Sequence, residues 1–486
     1  MSSYSVPENI RSLKPKGTMV KAIHNKYYVY EHFHIKEDGK WKTKMGKLIG
    51  SIDPVLGYIP NDSFRKDEIT TVDFGEYYLS YSLSINVLES LKQVFNVKDA
   101  YTIYFLSLIH FVNGFTYIKN IDALYKQSYL SVKYNTLSLS DKTISNLYDS
   151  LGRKQDKVNK FEDKLIEESS KQLAFDGHCI KSSSNENELS EQGNKTNVFK
   201  DDQINVLMAY DINTSRPVLS RIYCGGTLDK VSVKDLIERK NLHSMLFIVD
   251  KGFYSKENIS LFSSNDNHYI IPLWANHKSY KHIISRKTME GLFVFERSKK
   301  RSTVEYHEET IDGKKVIFYR DLSQNALEST DYLSKVEQGK YTMESYIEKK
   351  DSFGSIVLES NLDKTPEEIY RLYKKRWVIE TFYDYYKNRL DVNAIHLNDY
   401  YKTQGLSFVM LITSLIYSEV SKNLKEAKIK ESVQTILLNA RFLKLHKDYK
   451  GIWKVENINQ KHLEIFQAFN LNVSLEANGI IEPNYP

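Results

Sequence analysis

Residues 245–252 read Met245-Leu246-Phe247-Ile248-Val249-Asp250-Lys251-Gly252. An unbroken apolar run this short, closed by an acid and then a glycine, is the pattern of a strand buried on both faces. Before it, Gln172 to Asp176, Gln203 to Asp211 and Pro217 to Tyr223 read as three further strands, and Asp229 to Lys240 as a helix. After it, Lys256 to Phe262 reads as a helix and Tyr269 to Pro272 as a fifth strand. Three strands followed by alternating helix and strand predict an α/β layer built on a mixed sheet. Ser182 to Asn197 interrupts that layer as a polar loop long enough to suggest a functional segment.

The flanking regions change character. The first 60 residues carry a β-prone run at Tyr27 to Tyr30, a hairpin turn at Glu37-Asp38-Gly39-Lys40, and a return through Lys47 to Gly50. From about Tyr78 to Ser170 apolar residues recur at helical spacing, as in Val87, Leu88, Leu91, Val94 and Phe95. Ser140-Asp141-Lys142-Thr143 reads as the cap of one such helix, compatible with a helix-turn-helix reader or with a short helix of a bundle. Residues 275–364 read as further strands, with Asp312-Gly313 as a hairpin turn. A long helix is expected from Pro366 to Asn388, and the last hundred residues read as helical, with a tail from Ile480.

At 486 residues, 41% hydrophobic and 27% charged, the chain has enough apolar content for a sizeable core, which excludes a mostly disordered protein. The longest apolar stretch, Leu406 to Tyr417, is broken by Ser407, Thr413 and Ser414 and is shorter than a membrane span, so it reads as a buried helix. Cys179 and Cys224 alone cannot form a cysteine-rich zinc site. The N-terminus lacks the apolar core of a signal peptide, and a cytoplasmic location is the expectation. A net charge of +6 is mild, yet the ten basic residues between Arg11 and Lys47, interleaved with aromatics, suit a polyanion. The histidines and the His178–Cys179 couple lack spacing that would assign them a role.

Three acids stand out. Asp176 and Asp250 each end an apolar strand with glycine close behind, where α/β sheets place ligands. Glu380 lies in Tyr373-Lys374-Lys375-Arg376-Trp377-Val378-Ile379-Glu380-Thr381-Phe382-Tyr383-Asp384-Tyr385-Tyr386-Lys387. At about 100° per residue, Tyr373, Arg376, Glu380 and Lys387 fall within an arc of roughly 60° on one helix. Clustered carboxylates repel unless hard cations neutralise them, and such cations can activate water for phosphodiester displacement. A guanidinium and an ammonium beside them could hold phosphates.

The Tyr373, Arg376, Glu380 and Lys387 spacing resembles the signature of DDE transposases of the insertion-sequence-four superfamily. Leu246 to Ser255 and the Phe175-Asp176-Gly177-His178 run resemble that family's two aspartate motifs, although His178 stands where many relatives carry a small or hydroxyl residue. The resemblance covers roughly residues 15–420. It implies a multidomain α+β protein: an N-terminal β-hairpin region over 1–65, a helical domain able to bind DNA ends over 66–170, an RNase H-like catalytic domain over 171–274 and 365–420, a β-rich insertion domain over 275–364, and a C-terminal helical region over 421–486. It further implies Asp176, Asp250 and Glu380 as catalytic ligands of two Mg²⁺ ions, with Mn²⁺ able to substitute. Tyr373, Arg376 and Lys387 would contact phosphate, and Trp274 and Trp377 are candidates for holding a flipped base. The implied partners are double-stranded DNA, at terminal inverted repeats and target, with the protein acting as a homodimer. The implied reaction exposes a 3′-OH at the element's end and joins it to target DNA. Two other classes compete: a DNA-binding relative that has lost catalysis, and a metal-free glycosidase using paired carboxylates.

Overall fold

The computed structural model describes the chain except residues 1–5, 25, 38, 62–70, 185, 194–201, 286–288, 298–299, 381–393, 449–450, 472, 474–476, 478–479 and 481–486. Two compact units result, Met1–Thr70 and Thr71–Pro486.

In the first unit, β1 (Thr18–Ile23), β2 (Lys26–Glu37), β3 (Lys40–Asp53) and β4 (Gly57–Pro60) form an antiparallel sheet in chain order. Gly39 turns the β2–β3 hairpin at a φ of 76°, which a side chain would disfavour. Asp53 accepts backbone N–H bonds from Val55 (2.8 Å) and Leu56 (2.9 Å), folding the chain back into β4. A small core of Ile10, Val29 and Ile52 closes the base of this sheet.

The second unit begins with β5 (Thr71–Asp73) and a run of helices that includes Gly75–Lys92, Val97–Asn113, Asp141–Arg153 and Gln155–Glu167. Ser140 caps the third of these by accepting from the Thr143 N–H, as its sequence predicts. The large sheet follows, from β6 (Gln172–Ser182), β7 (Glu191–Gln192), β8 (Asp202–Asp211) and β9 (Arg216–Cys224) to β10 (Leu246–Ile248) and β11 (His268–Pro272). β9, β8 and β6 run antiparallel, whereas β10 lies parallel to β6 and β11 parallel to β10. That order, 9-8-6-10-11, is consistent with an RNase H-like core.

The sheet does not stop there. β12 (Gly291–Arg297), β13 (Lys300–Ile311), β14 (Lys314–Asp321) and β15 (Ser355–Ser360) continue it, because β15 pairs antiparallel with β11. Residues 275–364 are also not strands alone. Asp321 accepts from the Gln324 N–H and starts a helix, Leu322–Glu337, followed by Met343–Lys349. The C-terminal region departs from the all-helical expectation as well. After β16 (Ala394–Ile395) and the helices Tyr400–Glu426 and Val433–Ala440, β17 (Lys444–Lys447) and β18 (Trp453–Glu456) form a three-stranded sheet with β5. That pairing joins segments some 370 residues apart in sequence, so no local pattern could announce it.

The Tyr400–Glu426 helix is the centre of this unit. From Leu406 to Ile416 every residue is buried, against β9 and the surrounding helices, which explains an apolar run that does not cross a membrane. Among the described residues no helix is long and apolar enough to do so. Its approach to the Asp141–Arg153 helix depends on two glycines. A Cβ at Gly152 would sit 1.8 Å from the Tyr401 carbonyl oxygen, and one at Gly405 would sit 2.1 Å from that of Tyr148. Either Gly152→Ala or Gly405→Ala is therefore expected to destabilise the protein by about 1–3 kcal/mol, through overpacking that no side-chain rotation relieves. Urea unfolding checks this, and an unchanged midpoint in both variants would contradict the close crossing.

Candidate active site

Register brings the first two acids together. In the parallel pair β6–β10, Ala174 lies opposite Ile248. Asp176 and Asp250 each stand two residues further on, so they sit level with one another and on the same face; Asp250 follows the end of β10, but Asp176 does not end its strand as expected, because β6 stays paired with β8 as far as Lys181. The Asp176 carboxylate accepts from the Gly177 N–H at 3.0 Å, and that of Asp250 from the Lys251 N–H at 2.6 Å. Asp250 thereby caps the single turn Lys251–Phe253.

The helix Pro366–Lys375 supplies the third side. Thr365 and Glu368 form a capping box, Pro366 occupies the first turn, and the Tyr319 hydroxyl donates to the Pro366 carbonyl at 2.7 Å, tying the helix to β14. Ile369 and Tyr370 are buried beneath it. The expected continuous helix is tightened at Arg376, where the Arg376 N–H bonds to Tyr373 and that of Ile379 to Arg376, three residues apart in each case. Helix resumes at 377–380, and the remainder of the expected helix, including Lys387, lies outside the described residues.

Arg376 is the charge that meets all three acids. Its guanidinium bonds Glu380 at 2.5 Å, one turn on, and interacts with Asp250 and Asp176 as well. Burial opposes its charge, but Tyr373 and these carboxylates outweigh that and hold its pKa above the ordinary value. Burial pushes the Tyr373 phenol up to about 12, with Arg376 pulling the other way. Asp176 is raised to about 6, chiefly by burial. Arg376 and the Gly177 N–H lower it, whereas Asp229 and Asp250 raise it further.

Asp229 is the residue that the sequence did not single out. It opens the helix Asp229–Lys240, and its carboxyl occupies the space left by the motif glycine Gly177. A Cβ at Gly177 would lie 2.5 Å from its Oδ1, and one at Gly252 would lie 3.9 Å from its Oδ2. The available signal was an acid in the first turn of the helix directly after Gly225-Gly226. A cavity of about 340 Å³ adjoins it, lined by Asn205, Thr227, Asp229, Tyr254 and Trp274 among others. Trp274 is 44% exposed with the Lys251 ammonium 4.7 Å from its ring, and Trp377 is 47% exposed beneath the Arg297 guanidinium.

Oxygen-only carboxylates are the donor set of a hard divalent cation. Among the described residues no three Asp, Glu, His or Cys side chains converge closely enough to hold an ion as they stand. Arg376 supplies the compensating charge in this arrangement.

Acids brought together on a mixed sheet set the class, and similarity to known proteins gives the family. Residues 168–416, just over half of the chain, match the family described as Transposase DDE domain, and the chain belongs to that family. No curated protein matches it. Among solved structures it is similar to a piggyBac transposase in a synaptic complex with hairpin DNA, at 11% identity and a TM-score of 0.41, over 76% of this chain and 80% of that one.

The Asp176 shift has a sign that can be tested. Its folded pKa, about 6, lies above its ordinary value of 3.8, so its contribution to stability is full below the lower value and is lost as pH rises through the upper one. Asp176→Asn is accordingly expected to raise the melting temperature of the metal-free protein by a few degrees, on the order of 2–4 °C per kcal/mol, at pH 8, with the gain shrinking toward pH 4. Melting curves at both pH values decide it. A variant less stable than wild type at pH 8 would contradict the assignment.

Proposed function

We propose that this protein is a DDE transposase of the insertion-sequence-four type, which cuts DNA at the ends of its element and joins the exposed 3′-OH to target DNA. The observation that carries this reading is the placement of Asp176 and Asp250 level with one another on β6 and just past β10, with the Arg376 guanidinium bonded to Glu380 and acting electrostatically on both aspartates. In this reading Asp176, Asp250 and Glu380 hold two Mg²⁺ ions, or Mn²⁺ in their place. When bound, the ions supply activation of the attacking water or 3′-OH and neutralise charge on the phosphodiester.

The chain's own groups do the rest. Asp176 and Asp250 are fixed by strand register and cannot spread apart to relieve their repulsion. Glu380, on a helix, can rotate away from Arg376 and release the guanidinium to a phosphate, which it holds bidentately. Tyr373 stays protonated at neutral pH, since its pKa is pushed up to about 12, so it donates a hydrogen bond and does not serve as a base. Lys387 adds a point charge along the same DNA strand. The N-terminal and helical regions, 1–65 and 66–170, bind the DNA ends. The core comprises 171–274 and 365–420, residues 275–364 lie inserted between its halves, and 421–486 complete the chain. Two copies of the protein hold two ends. No covalent intermediate with the protein is required.

The test pairs wild type with Glu380→Gln on a plasmid carrying the gene and its native flanks. Wild type is expected to cut at discrete flank positions only with Mg²⁺ or Mn²⁺. Glu380→Gln should bind the same flanks and keep the wild-type melting temperature while cutting more than about tenfold slower. Cleavage by the variant at a tenth of the wild-type rate or better, or wild-type cleavage in EDTA, would contradict the proposal.

A further inference from the structure

The N-terminal sheet is uneven in width. β1 pairs only with Lys26–Glu31 of β2, and β4 only with Gly50–Asp53 of β3. Beyond them six residue pairs of the β2–β3 hairpin, from His32↔Met45 to Glu37↔Lys40, run on as a ribbon of two strands. At about 3.4 Å per residue this ribbon is roughly 20 Å long. Its pairing also sorts its side chains. Directly opposed residues share a face, so Phe33, Ile35, Glu37, Lys40, Lys42 and Lys44 lie on one side. His32, His34, Lys36, Trp41, Thr43 and Met45 lie on the other.

Neither face is covered within this unit. Trp41 is 70% exposed, Phe33 52% and Met45 47%. Lys36, Lys40, Lys42, Lys44 and Lys47 stand against only Glu37 and Asp38 over residues 32–47. Glu37 spans two of them, Lys44 at 2.6 Å and Lys42 at 3.2 Å, and the remainder is a net positive arm. Lysines on a bare ribbon do guard it against pairing with another strand. Guarding does not call for an exposed Trp, Phe and Met, whose exposure costs solvation and invites aggregation. Their presence among the lysines points to a surface that is covered in use.

We propose that the β2–β3 ribbon is a DNA-binding arm whose tip enters a groove of duplex DNA between its two walls, so that the face of Lys40, Lys42 and Lys44 meets the phosphates of one wall and the opposite face, with Trp41, meets the sugar or base edges of the other. A two-stranded ribbon fits the major groove, about 12 Å wide. The net positive charge selects a polyanion over a protein surface. This inference rests on the transposase reading for its choice of DNA as the polyanion, and it names the part of the chain that would hold it.

The experiment measures binding of the full chain to a fluorescein-labelled duplex carrying the element's flank, by anisotropy across a salt series, with divalent ions absent. Wild type is compared with the combined Lys40→Gln, Lys42→Gln and Lys44→Gln variant, the corresponding Lys→Arg set, and Trp41→Ala. All these side chains are exposed, so melting temperatures should match. The Gln set should bind at least about tenfold more weakly, and its slope of log K against log salt should be shallower by roughly 2–3, at about 0.9 per phosphate lost. The Arg set should restore both, and Trp41→Ala should weaken binding without altering the slope. If wild type binds duplex and the Gln set binds it equally, with the same slope, the arm is refuted while the transposase reading stands. Failure of wild type to bind any duplex would sink both. A change in light-scattering mass with DNA affinity unaltered would refute DNA and assign the face to a second copy.

Discussion

Carboxylates held level on neighbouring strands repel one another, and the second unit is arranged around that repulsion. Asp176 and Asp250 cannot move apart, because the register of β6 with β10 places them level. The Arg376 guanidinium offsets their charge, and it can do so because its helix is fixed at its start by the Thr365–Glu368 capping box and by the Tyr319 hydroxyl on Pro366. Gly177 belongs to the same arrangement, since a side chain there would crowd Asp229.

What holds the site in place is a core shared by the sheet and the helices. One buried cluster runs from Val72 to Ala477, and the Tyr400–Glu426 helix lies in its middle. Polar links cross it where the helix meets the sheet: Ser407 bonds Ser220 at 2.9 Å, and Gln404 reaches the Ile222 carbonyl at 3.0 Å. Both partners lie on β9, the outer strand of the antiparallel half, so the helix fixes the sheet that presents Asp176. The continuation of the sheet through β15 serves the other side, since β14 carries the tyrosine that anchors the Arg376 helix.

Much of this was legible in the sequence, for identifiable reasons. The strands read at 172–176, 203–211, 217–223 and 245–250 were legible because they are rich in apolar residues and largely buried, although β6 runs on to Ser182 through polar residues and β10 stops at Ile248. The Arg376–Glu380 pair follows from helical spacing. The tight turn at Arg376 was not readable, because nothing in its residues breaks a helix and only its surroundings tighten it. The helices at Leu322–Glu337 and Met343–Lys349 were hidden within a β-rich stretch because they are short of buried residues, Tyr332 being the one they contribute. Asp229 went unnoticed because its importance lies in the missing side chain of Gly177. That glycine is far from it in the chain, with β8 and β9 between them.

The central claim is that Asp176, Asp250 and Glu380 form one cation site. The most direct test is a titration of the purified chain with Mn²⁺ at pH 8, followed by electron paramagnetic resonance, for wild type and Asp250→Ala. The account predicts saturable binding by the wild type and a loss of at least about tenfold in affinity in the variant. Equal Mn²⁺ affinity in the two proteins would contradict it.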